Sequence, residues 1–347
     1  MSDGRRKREL ARADRVLPGV WRLRLPLPWL GVPHVNAYAI AAGNGVVLFD
    51  TGMHEPGAFA QLERALDQAG LGVEHIRLVV CTHAHSDHYG LAAPICEAAG
   101  CELWMHPAHG HMTTAAQDPA AAFERRIEVA RQSGVPMAAL ERYREENKDR
   151  DFGIAGVKLP DRDLVPGVEV DTDLGCWQVV ETPGHAPSHV VLHQPERGLL
   201  ISGDHVLGRP SLYFDFGYTP DPVGEYLTSL ERVRALDVDL ILAGHGRPAR
   251  DLAGHIDSHL DLVDQALARV RDALSGEPRT AFEIAGAGLG LERVPRAAMN
   301  WALSLTLSYL RRLEVTGRVE KVDGSDPERW RALEDGASLP VYDPVRL

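Results

Sequence analysis

The chain has 347 residues, of which 44% are hydrophobic and 25% are charged. This composition is typical of a globular protein and excludes a disordered or fibrous chain, while the length predicts one large domain and a smaller one. The net charge of −12 argues against a general nucleic-acid binder, because an acidic surface repels polyanions. No apolar run approaches the ~20 residues of a membrane helix, so we expect a cytoplasmic protein with no membrane partner.

Strands and helices alternate from residue 15 to residue 252, which predicts an α/β catalytic domain. Before it, residues 1–14 are rich in Arg and Lys and predict a flexible basic arm. Short Val- and Ile-rich runs predict strands, and apolar residues three and four apart predict helices. In chain order, the predicted strands are 20–25, 36–41, 45–49, 76–82, 102–105, 168–170, 177–181, 189–193, 199–202 and 240–243, and the helices between them are 56–69, 91–99 and 226–236.

Two helical segments depart from this alternation. Residues 107–159 are charged and helical, and we interpret them as an insertion near the functional site. Its apolar side chains need a surface to cover, and the mouth of the site is the nearest candidate. Residues 253–347 predict a smaller helical C-terminal domain that ends in a short strand. We expect this domain to pack and to assemble, for which a homodimer is one arrangement.

A dense histidine cluster follows the predicted strand 76–82. The chain has sixteen histidines and only four cysteines, with no CxxC pair among them, so we expect reduced thiols. In the segment Thr82 to His88, a loop at the end of a strand can direct four donors toward two neighbouring ions. Imidazole nitrogens and carboxylate oxygens are zinc ligands. The four donors of this cluster are His83, His85, Asp87 and His88.

Three further donors follow later predicted strands. They are His185, Asp204 and His245, and a glycine precedes each of them. Glycine permits the sharp turn and the close backbone approach that a site at the end of a strand requires. Four motifs at four strand ends are far less probable by chance than any one of them, so we interpret the set as a metal site rather than as unrelated core histidines.

These motifs resemble those of the metallo-β-lactamase-fold hydrolase superfamily, from about residue 19 to residue 250. The resemblance implies an αββα sandwich, with two mixed sheets face to face, helices outside, and a binuclear zinc centre at one edge. It also implies that Asp50 fixes the orientation of a ligand imidazole, although an Asx-type turn is the alternative for this residue. We expect His189 to be a structural, hydrogen-bonding histidine rather than a ligand. By matching motif, His83, His85 and His185 would hold one zinc, Asp87, His88 and His245 the other, and Asp204 would bridge the two.

The C-terminal part resembles a narrower branch of the superfamily. Asp221 and Pro222 lead into a helix, and a helical tail follows, which is similar to metallo-hydrolases with a C-terminal winged-helix domain. That branch includes β-lactamase-like proteins related to an endoribonuclease, and its core is similar to that of glyoxalase II thioesterases. The sequence offers no clear basic cluster for a glutathione carboxylate, which weakens a specific glyoxalase II identity.

A hydrolysis mechanism follows from the predicted metal pair. Two zinc ions would present a bridging hydroxide as the nucleophile, and Asp87 would orient it and carry its proton. The bridging carboxylate of Asp204 counts against a dedicated β-lactamase. The first choice of substrate is therefore a thioester or lactone in a small molecule. The alternative is phosphodiester cleavage in RNA, and a β-lactamase or a mono-iron persulfide dioxygenase ranks lower.

Aromatic residues near the motifs are candidates for a substrate pocket, although a core position is an equal alternative for several of them. Changes in the insertion should alter the Michaelis constant without altering metal content. The candidate pocket residues are Trp29, Tyr213, Phe214, Phe216 and Tyr218, with Phe123 and Tyr143 from the insertion.

Overall fold

A first sheet of seven strands forms the N-terminal half of the fold. The computed structural model describes residues 9–29, 31–147, 152–274, 276–288 and 299–333. The first four strands of this sheet pair antiparallel, and the last four pair parallel. In spatial and chain order they are β1 (Arg12–Leu17), β2 (Val20–Pro26), β3 (His34–Ala42), β4 (Gly45–Phe49), β5 (Ile76–Val80), β6 (Glu102–Met105) and β7 (Arg162–Asp163).

A second sheet of five strands packs against the first. Its spatial order is β12-β11-β10-β9-β8, and all of its pairs are antiparallel except β11 with β12. Its strands are β8 (Glu169–Thr172), β9 (Gly175–Glu181), β10 (Val190–Gln194), β11 (Leu199–Gly203) and β12 (Leu240–Ala243).

Helices connect the strands and follow the second sheet. No helix among the residues that the structure describes is long and apolar enough to cross a membrane. The helices are α1 (Ala58–Gln68), α2 (Ser86–Tyr89), α3 (Ala92–Ala99), α4 (Gly110–Gln117), α5 (Pro119–Gln132), α6 (Met137–Asn147), α7 (Pro222–Arg234), α8 (Leu252–Asp272), α9 (Ala281–Gly288) and α10 (Met299–Val315), and a hairpin of β13 (Val319–Lys321) and β14 (Trp330–Ala332) follows them.

The alternation of side chains along the strands explains the layers. In β3, Val35 and Ala37 face the helical layer outside the first sheet, whereas Tyr38 and Ile40 face the second sheet. Successive side chains of a strand point to opposite faces, so a strand that is apolar throughout is buried on both. The interior between the sheets includes Trp177, whose ring centroid lies 5.6 Å from that of Phe49. The expected αββα sandwich is confirmed.

The outer faces of the two sheets are covered by different helices. Helices α1 and α3 cover the first sheet with Leu62, Leu66 and Ile95. Helices α7 and α8 cover the second sheet with residues such as Leu230 and Ile256. Burying each of these side chains contributes about 1.5–3 kcal/mol. The predicted donor motifs therefore extend from sheets whose two faces are packed.

The C-terminal elements share a core with this scaffold. Leu305, Tyr309 and Leu310 of α10 belong to the same buried cluster as Val191 and Leu200 of the second sheet. The described elements here are helices followed by an antiparallel hairpin. The similarity to a winged-helix domain stays a prediction from sequence.

The expected basic arm ends earlier than the sequence predicted. Residues 1–8 lie outside the described residues, but Arg12, Ala13 and Asp14 pair with β2 as part of β1. The backbone amide of Ala11 also donates to the side chain of Gln61 at 2.8 Å. An edge strand is held by backbone hydrogen bonds and tolerates charged side chains. Because several side chains of β1 are charged, the sequence pattern did not predict this strand.

The insertion is helical as expected, and part of its apolar surface packs against the C-terminal helix. Ala130, Val135 and Leu140 form a small buried cluster with Leu303 of α10. The hydroxyl of Tyr143 accepts a hydrogen bond from Asn300 of the same helix at 2.7 Å. This part of the insertion is thus covered by α10, an apolar partner that the sequence pattern could not reveal.

Candidate metal centre

Four loops at one edge of the sandwich carry the predicted donors. The histidine cluster follows β5 and continues into α2, and His185 lies in the loop between β9 and β10. Asp204 and His245 follow β11 and β12 directly, and these two strands are parallel neighbours. Parallel strands end at the same edge, so their following residues meet there. The sequence prediction of one common edge is therefore correct in its geometry.

The first donor group consists of His83, His85 and His185. Their ligand atoms all lie within 4.8 Å of one another. The Nε2 atom of His185 lies 2.9 Å from Nδ1 of His85. The rings of His83 and His185 are nearly perpendicular, with centroids 5.0 Å apart. Three imidazoles therefore converge on one small volume.

The second donor group consists of Asp87, His88, Asp204 and His245. Nε2 of His88 lies 3.4 Å from Oδ2 of Asp87, and Nε2 of His245 lies 3.2 Å from the same oxygen. Four ligands at the usual zinc distances of about 2.0–2.1 Å in a tetrahedron are separated from one another by about 3.3 Å. The spacing of this group matches that arrangement.

Asp204 lies between the two groups. Its Oδ1 atom is 3.3 Å from Nε2 of His88, and its Oδ2 atom is 3.2 Å from Nε2 of His245. The same Oδ2 atom lies 3.7 Å from Nε2 of His185 in the first group. One carboxylate thus faces donors of both groups.

Several donor atoms are buried without a hydrogen-bond partner. They include Nε2 of His83, Nε2 of His88 and Oδ1 of Asp204. A buried polar atom without a partner costs about 1–3 kcal/mol, so a fold with three of them in one cluster needs compensation. A pair of divalent cations satisfies all three, and the residues present fit such a pair.

The second nitrogen of each donor imidazole is held by the protein, which fixes the orientation of the ring. Asp50 is the partner of His88, and its placement agrees with the expected role. The five contacts are His83 Nδ1 to Thr82 Oγ1 at 3.0 Å, His85 Nε2 to Asp215 Oδ2 at 2.8 Å, His88 Nδ1 to Asp50 Oδ2 at 2.8 Å, His185 Nδ1 to the Tyr213 carbonyl at 3.1 Å and His245 Nδ1 to the His34 carbonyl at 2.9 Å.

The loop that carries His245 is fixed by the first sheet. The side chain of Asn36 donates to the carbonyls of Ala243 and Gly246 at 2.8 and 3.0 Å, and the backbone amide of Asn36 donates to Gly244 at 2.7 Å. A Cβ atom at Gly244 would collide with Oδ1 of Asp204 and with Cε1 of His88. Glycine is therefore required at this position.

His189 lies beside the centre with both of its nitrogens engaged. Its Nε2 atom accepts a hydrogen bond from the Asp204 amide at 3.1 Å, and Nδ1 is 2.8 Å from the hydroxyl of Thr182. Burial and the neighbouring His185 keep the pKa of His189 well below its usual value. The neutral ring thus positions the Asp204 backbone, in line with the structural role that the sequence suggested.

The two carboxylates of the cluster are in the form that favours cation binding. Burial alone would raise the pKa of Asp87 and of Asp204, but nearby His88 and His245 lower both. Burial alone would lower the pKa of His245, yet Asp204 and Asp87 raise it to about 10. Burial and the adjacent His85 lower the pKa of His185 to about 4. Ionised carboxylates and neutral imidazoles are the forms that bind metal, so His245 must release its proton when a cation binds.

The sequence comparison identifies the family. The profile described as "Metallo-beta-lactamase superfamily" matches residues 30–245, which is more than half of the chain. The chain belongs to the metallo-beta-lactamase superfamily. This membership and the two donor groups together indicate an enzyme of the metallo-hydrolase type with a dinuclear metal site.

Individual superfamily members are similar over most of the chain. The "Probable metallo-hydrolase YqjP" of Bacillus subtilis is 27% identical over 76% of this chain and 82% of that protein. Several other curated relatives are longer, and their matches cover 60–64% of their length. A beta-lactamase domain protein from Burkholderia ambifaria has 29% identity and a TM-score of 0.79, covering 92% of this chain and 94% of that one. A metallo-beta-lactamase family protein from Thermus thermophilus has 27% identity and a TM-score of 0.77, covering 92% and 100%.

The predicted pocket residues separate into four locations. Tyr213 and Tyr218 lie at the centre, with ring centroids 5.6 Å from the ring of His85 and 5.8 Å from the ring of His111, respectively. Phe214 is instead fully buried in the core. The remaining candidates pack elsewhere: Phe216 against the same core, Trp29 against the helical layer of the first sheet, and Phe123 against Tyr143 with stacked rings 5.9 Å apart.

Two residues at the centre were not predicted from the sequence. Asp215 contacts His85, and His111 of α4 contacts Asp215 at 2.9 Å. Gly110 precedes His111, but neither residue directly follows a strand, so neither fits the pattern that revealed the other donors. The one available signal was the acidic residue within the aromatic run from Tyr213 to Phe216.

Proposed function

We propose that this superfamily member is a dinuclear zinc hydrolase that cleaves an ester-type bond, a thioester or a lactone, in a small molecule. The observation that carries the proposal is the position of the Asp204 carboxylate between two complete donor groups. When bound, the two ions supply an acidified water and a Lewis acid for the scissile carbonyl. One ion would be held by His83, His85 and His185. The other ion would be held by Asp87, His88 and His245, and Asp204 would bind both ions.

Zinc is the proposed metal because of the donor types. Five of the seven donors are imidazoles and two are carboxylates, a combination that suits zinc better than the oxygen-only sets of magnesium or calcium. Both groups are complete, which favours two ions over the single iron of a dioxygenase.

Asp87 is the proposed catalytic residue of the protein itself. It is 3% exposed and lies within 3.4 Å of two donor nitrogens. An ionised carboxylate at this point can accept a hydrogen bond from the attacking water and receive its proton. Tyr213 and Tyr218 would border the substrate on the side of the first donor group.

Phosphodiester cleavage is the second candidate, because two exposed cations lie near the centre. Burial raises the pKa of Tyr218, and the exposed Arg125 and Arg126 of α5 act against this effect. The guanidinium of Arg126 also packs over the Phe152 ring at 4.6 Å. Such cations could hold an anionic part of a substrate. In contrast, Arg312 of α10 pairs with the buried Asp221 at 2.8 Å, and Arg311 pairs with Glu314. Both arginines already form ion pairs within the fold, so they are poor candidates for phosphate contacts.

A substrate screen distinguishes these candidates. The zinc-loaded protein is assayed with acyl thioesters, lactones, β-lactams, bis(p-nitrophenyl) phosphate and short RNA, and Asp204→Ala is assayed in parallel as the inactive control. The proposal expects the highest kcat/KM for a thioester or lactone, with loss of that activity in the control. A higher kcat/KM for RNA or the phosphodiester would replace the proposal with the second candidate.

A further inference from the structure

Asp215 is a buried carboxylate on which two histidines from different parts of the chain converge. Its Oδ2 atom lies 2.8 Å from Nε2 of His85 and 2.9 Å from Nδ1 of His111. A carboxylate oxygen accepts hydrogen bonds, so the ring nitrogen of His85 that faces Asp215 is the donor.

Hydrogen bonds around His111 fix the direction of this network. The hydroxyl oxygen of Ser188 accepts the Ala84 amide at 3.1 Å and lies 2.8 Å from Nε2 of His111. The hydroxyl proton can then be donated to that nitrogen, which leaves the proton of His111 on Nδ1, toward Asp215. In the same way, a proton on Nε2 of His85 leaves its Nδ1 lone pair directed at the first donor group.

The three side chains His85, His111 and Asp215 also lie within 4.8 Å of one another, as the members of a cation site do. Their contacts argue against a third ion. Both nitrogens lie 2.8–2.9 Å from the same oxygen, which is a direct hydrogen-bond distance. The contact of His85 Nε2 with Asp215 is a hydrogen bond, and Nδ1 of His85 faces the first donor group. His85 therefore has no nitrogen left for a third ion.

A serine of the C-terminal helix holds the loop that carries Asp215. The hydroxyl of Ser304 in α10 donates to the Phe214 carbonyl at 2.8 Å and accepts the Phe216 amide at 3.2 Å. These two contacts hold the backbone of the residues immediately before and after Asp215. Leu303, next to Ser304, packs against the insertion. Helix α10 thus connects the insertion, the loop and the scaffold.

We propose that Asp215 is the positioning residue of His85, and that Ser304 of α10 and His111 of α4 hold Asp215 in place. The C-terminal region and the insertion then set the geometry of the first metal site, although neither donates a ligand to it. This inference rests on the metal-binding part of the proposed function and is independent of the substrate. It gives the C-terminal region a role beyond packing and assembly.

The test measures ring tautomers and metal affinity rather than turnover. The variants are Asp215→Asn and Ser304→Ala, and Ser308→Ala is the matched control. Ser308 is a fully buried serine one turn along α10, and its hydroxyl donates to the carbonyl of Ser304 within the same helix at 2.8 Å. Long-range ¹H–¹⁵N spectra of the metal-free protein report which nitrogen of His85 carries the proton, and His85→Gln assigns its signals. Zinc affinity is measured by competition with a chelator.

In the wild type we expect the proton of His85 on Nε2. Asp215→Asn should mix the two tautomers and weaken zinc binding at one site about 10–100-fold, as loss of a partner that orients a ligand does. Ser304→Ala should act in the same direction by a smaller factor, and Ser308→Ala should match the wild type.

An unchanged tautomer and an affinity within twofold of wild type in Asp215→Asn would overturn the proposal, and so would equal results for the two serine variants. A wild type that binds no zinc would refute the proposed function, and the tautomer measurement would still decide the positioning role.

Discussion

Nδ1 of His88 lies 2.8 Å from Oδ2 of Asp50, and Asp50 adopts a left-handed backbone conformation with a φ of 61°. Its other oxygen accepts the Thr82 amide at 2.8 Å. A left-handed conformation is uncommon for a residue other than glycine and persists where the surroundings impose it. The carboxylate is thus fixed from two sides, and it directs Nε2 of His88 toward Asp87 and Asp204.

Replacing Asp50 by Asn tests this relationship. Asn tolerates the left-handed conformation, so Asp50→Asn removes mainly the charge and the acceptor that faces His88. We expect zinc affinity at the second donor group to fall about 10–100-fold, measured by chelator competition. Asp251→Asn is the matched control, because Asp251 has the same φ of 61° and is exposed at the start of α8. Equal affinities in the two variants would refute the role of Asp50.

Asp87→Asn tests the proposed catalytic carboxylate. The substitution keeps the size of the side chain but removes its charge and basicity. We expect kcat for the ester substrate to fall about 10²-fold or more, the scale of a lost general acid or base. Metal content is measured on the same samples, so that a lost ion is distinguished from a lost proton acceptor. A rate within a few-fold of wild type at full metal content would show that Asp87 has no such role.

Tyr143→Phe tests how the insertion is held. The ring that stacks on Phe123 is kept, but the hydroxyl that accepts from Asn300 is lost. We expect the free energy of unfolding in urea to fall by about 1 kcal/mol, with unchanged metal content. Equal stability of Tyr143→Phe and wild type would contradict this account of the packing.

The pattern of donors was predictable from sequence because each of them follows a strand or a strand-end glycine. The alternation of strands and helices predicted an α/β fold, and strands such as β3 are buried along most of their length. The αββα sandwich itself was implied by the resemblance to the superfamily. Asp215 and His111 were not, because they come from an irregular loop and a helix whose meeting depends on tertiary packing. Strand β1 was missed because a charged edge strand is defined by its backbone partner. The sequence also could not show which surface covers the insertion. It shows an apolar stripe on the insertion but does not show that α10 packs against this stripe.

The buried imidazole of His259 should make the free energy of unfolding depend on pH. Its Nδ1 atom donates to the His255 carbonyl at 2.7 Å, and Nε2 accepts the Leu207 amide at 3.4 Å. Burial lowers the pKa of His259 below its usual value of 6.5. The unfolded chain then takes up a proton below about pH 6.5 that the folded chain resists, so stability falls as the pH falls through that range. We expect the loss of unfolding free energy between pH 7.5 and pH 5 to be smaller in His259→Gln than in wild type. An equal loss in both proteins would contradict the assignment.

Elemental analysis tests the central claim most directly. The metal-free protein is loaded with excess zinc, desalted, and analysed for zinc per chain, with Asp204→Ala treated in parallel. The two donor groups and the shared carboxylate of Asp204 predict two zinc ions per wild-type chain, and a loss of about one ion in Asp204→Ala, because the shared ligand stabilises the second ion. One ion or fewer in the fully loaded wild type would contradict the dinuclear centre.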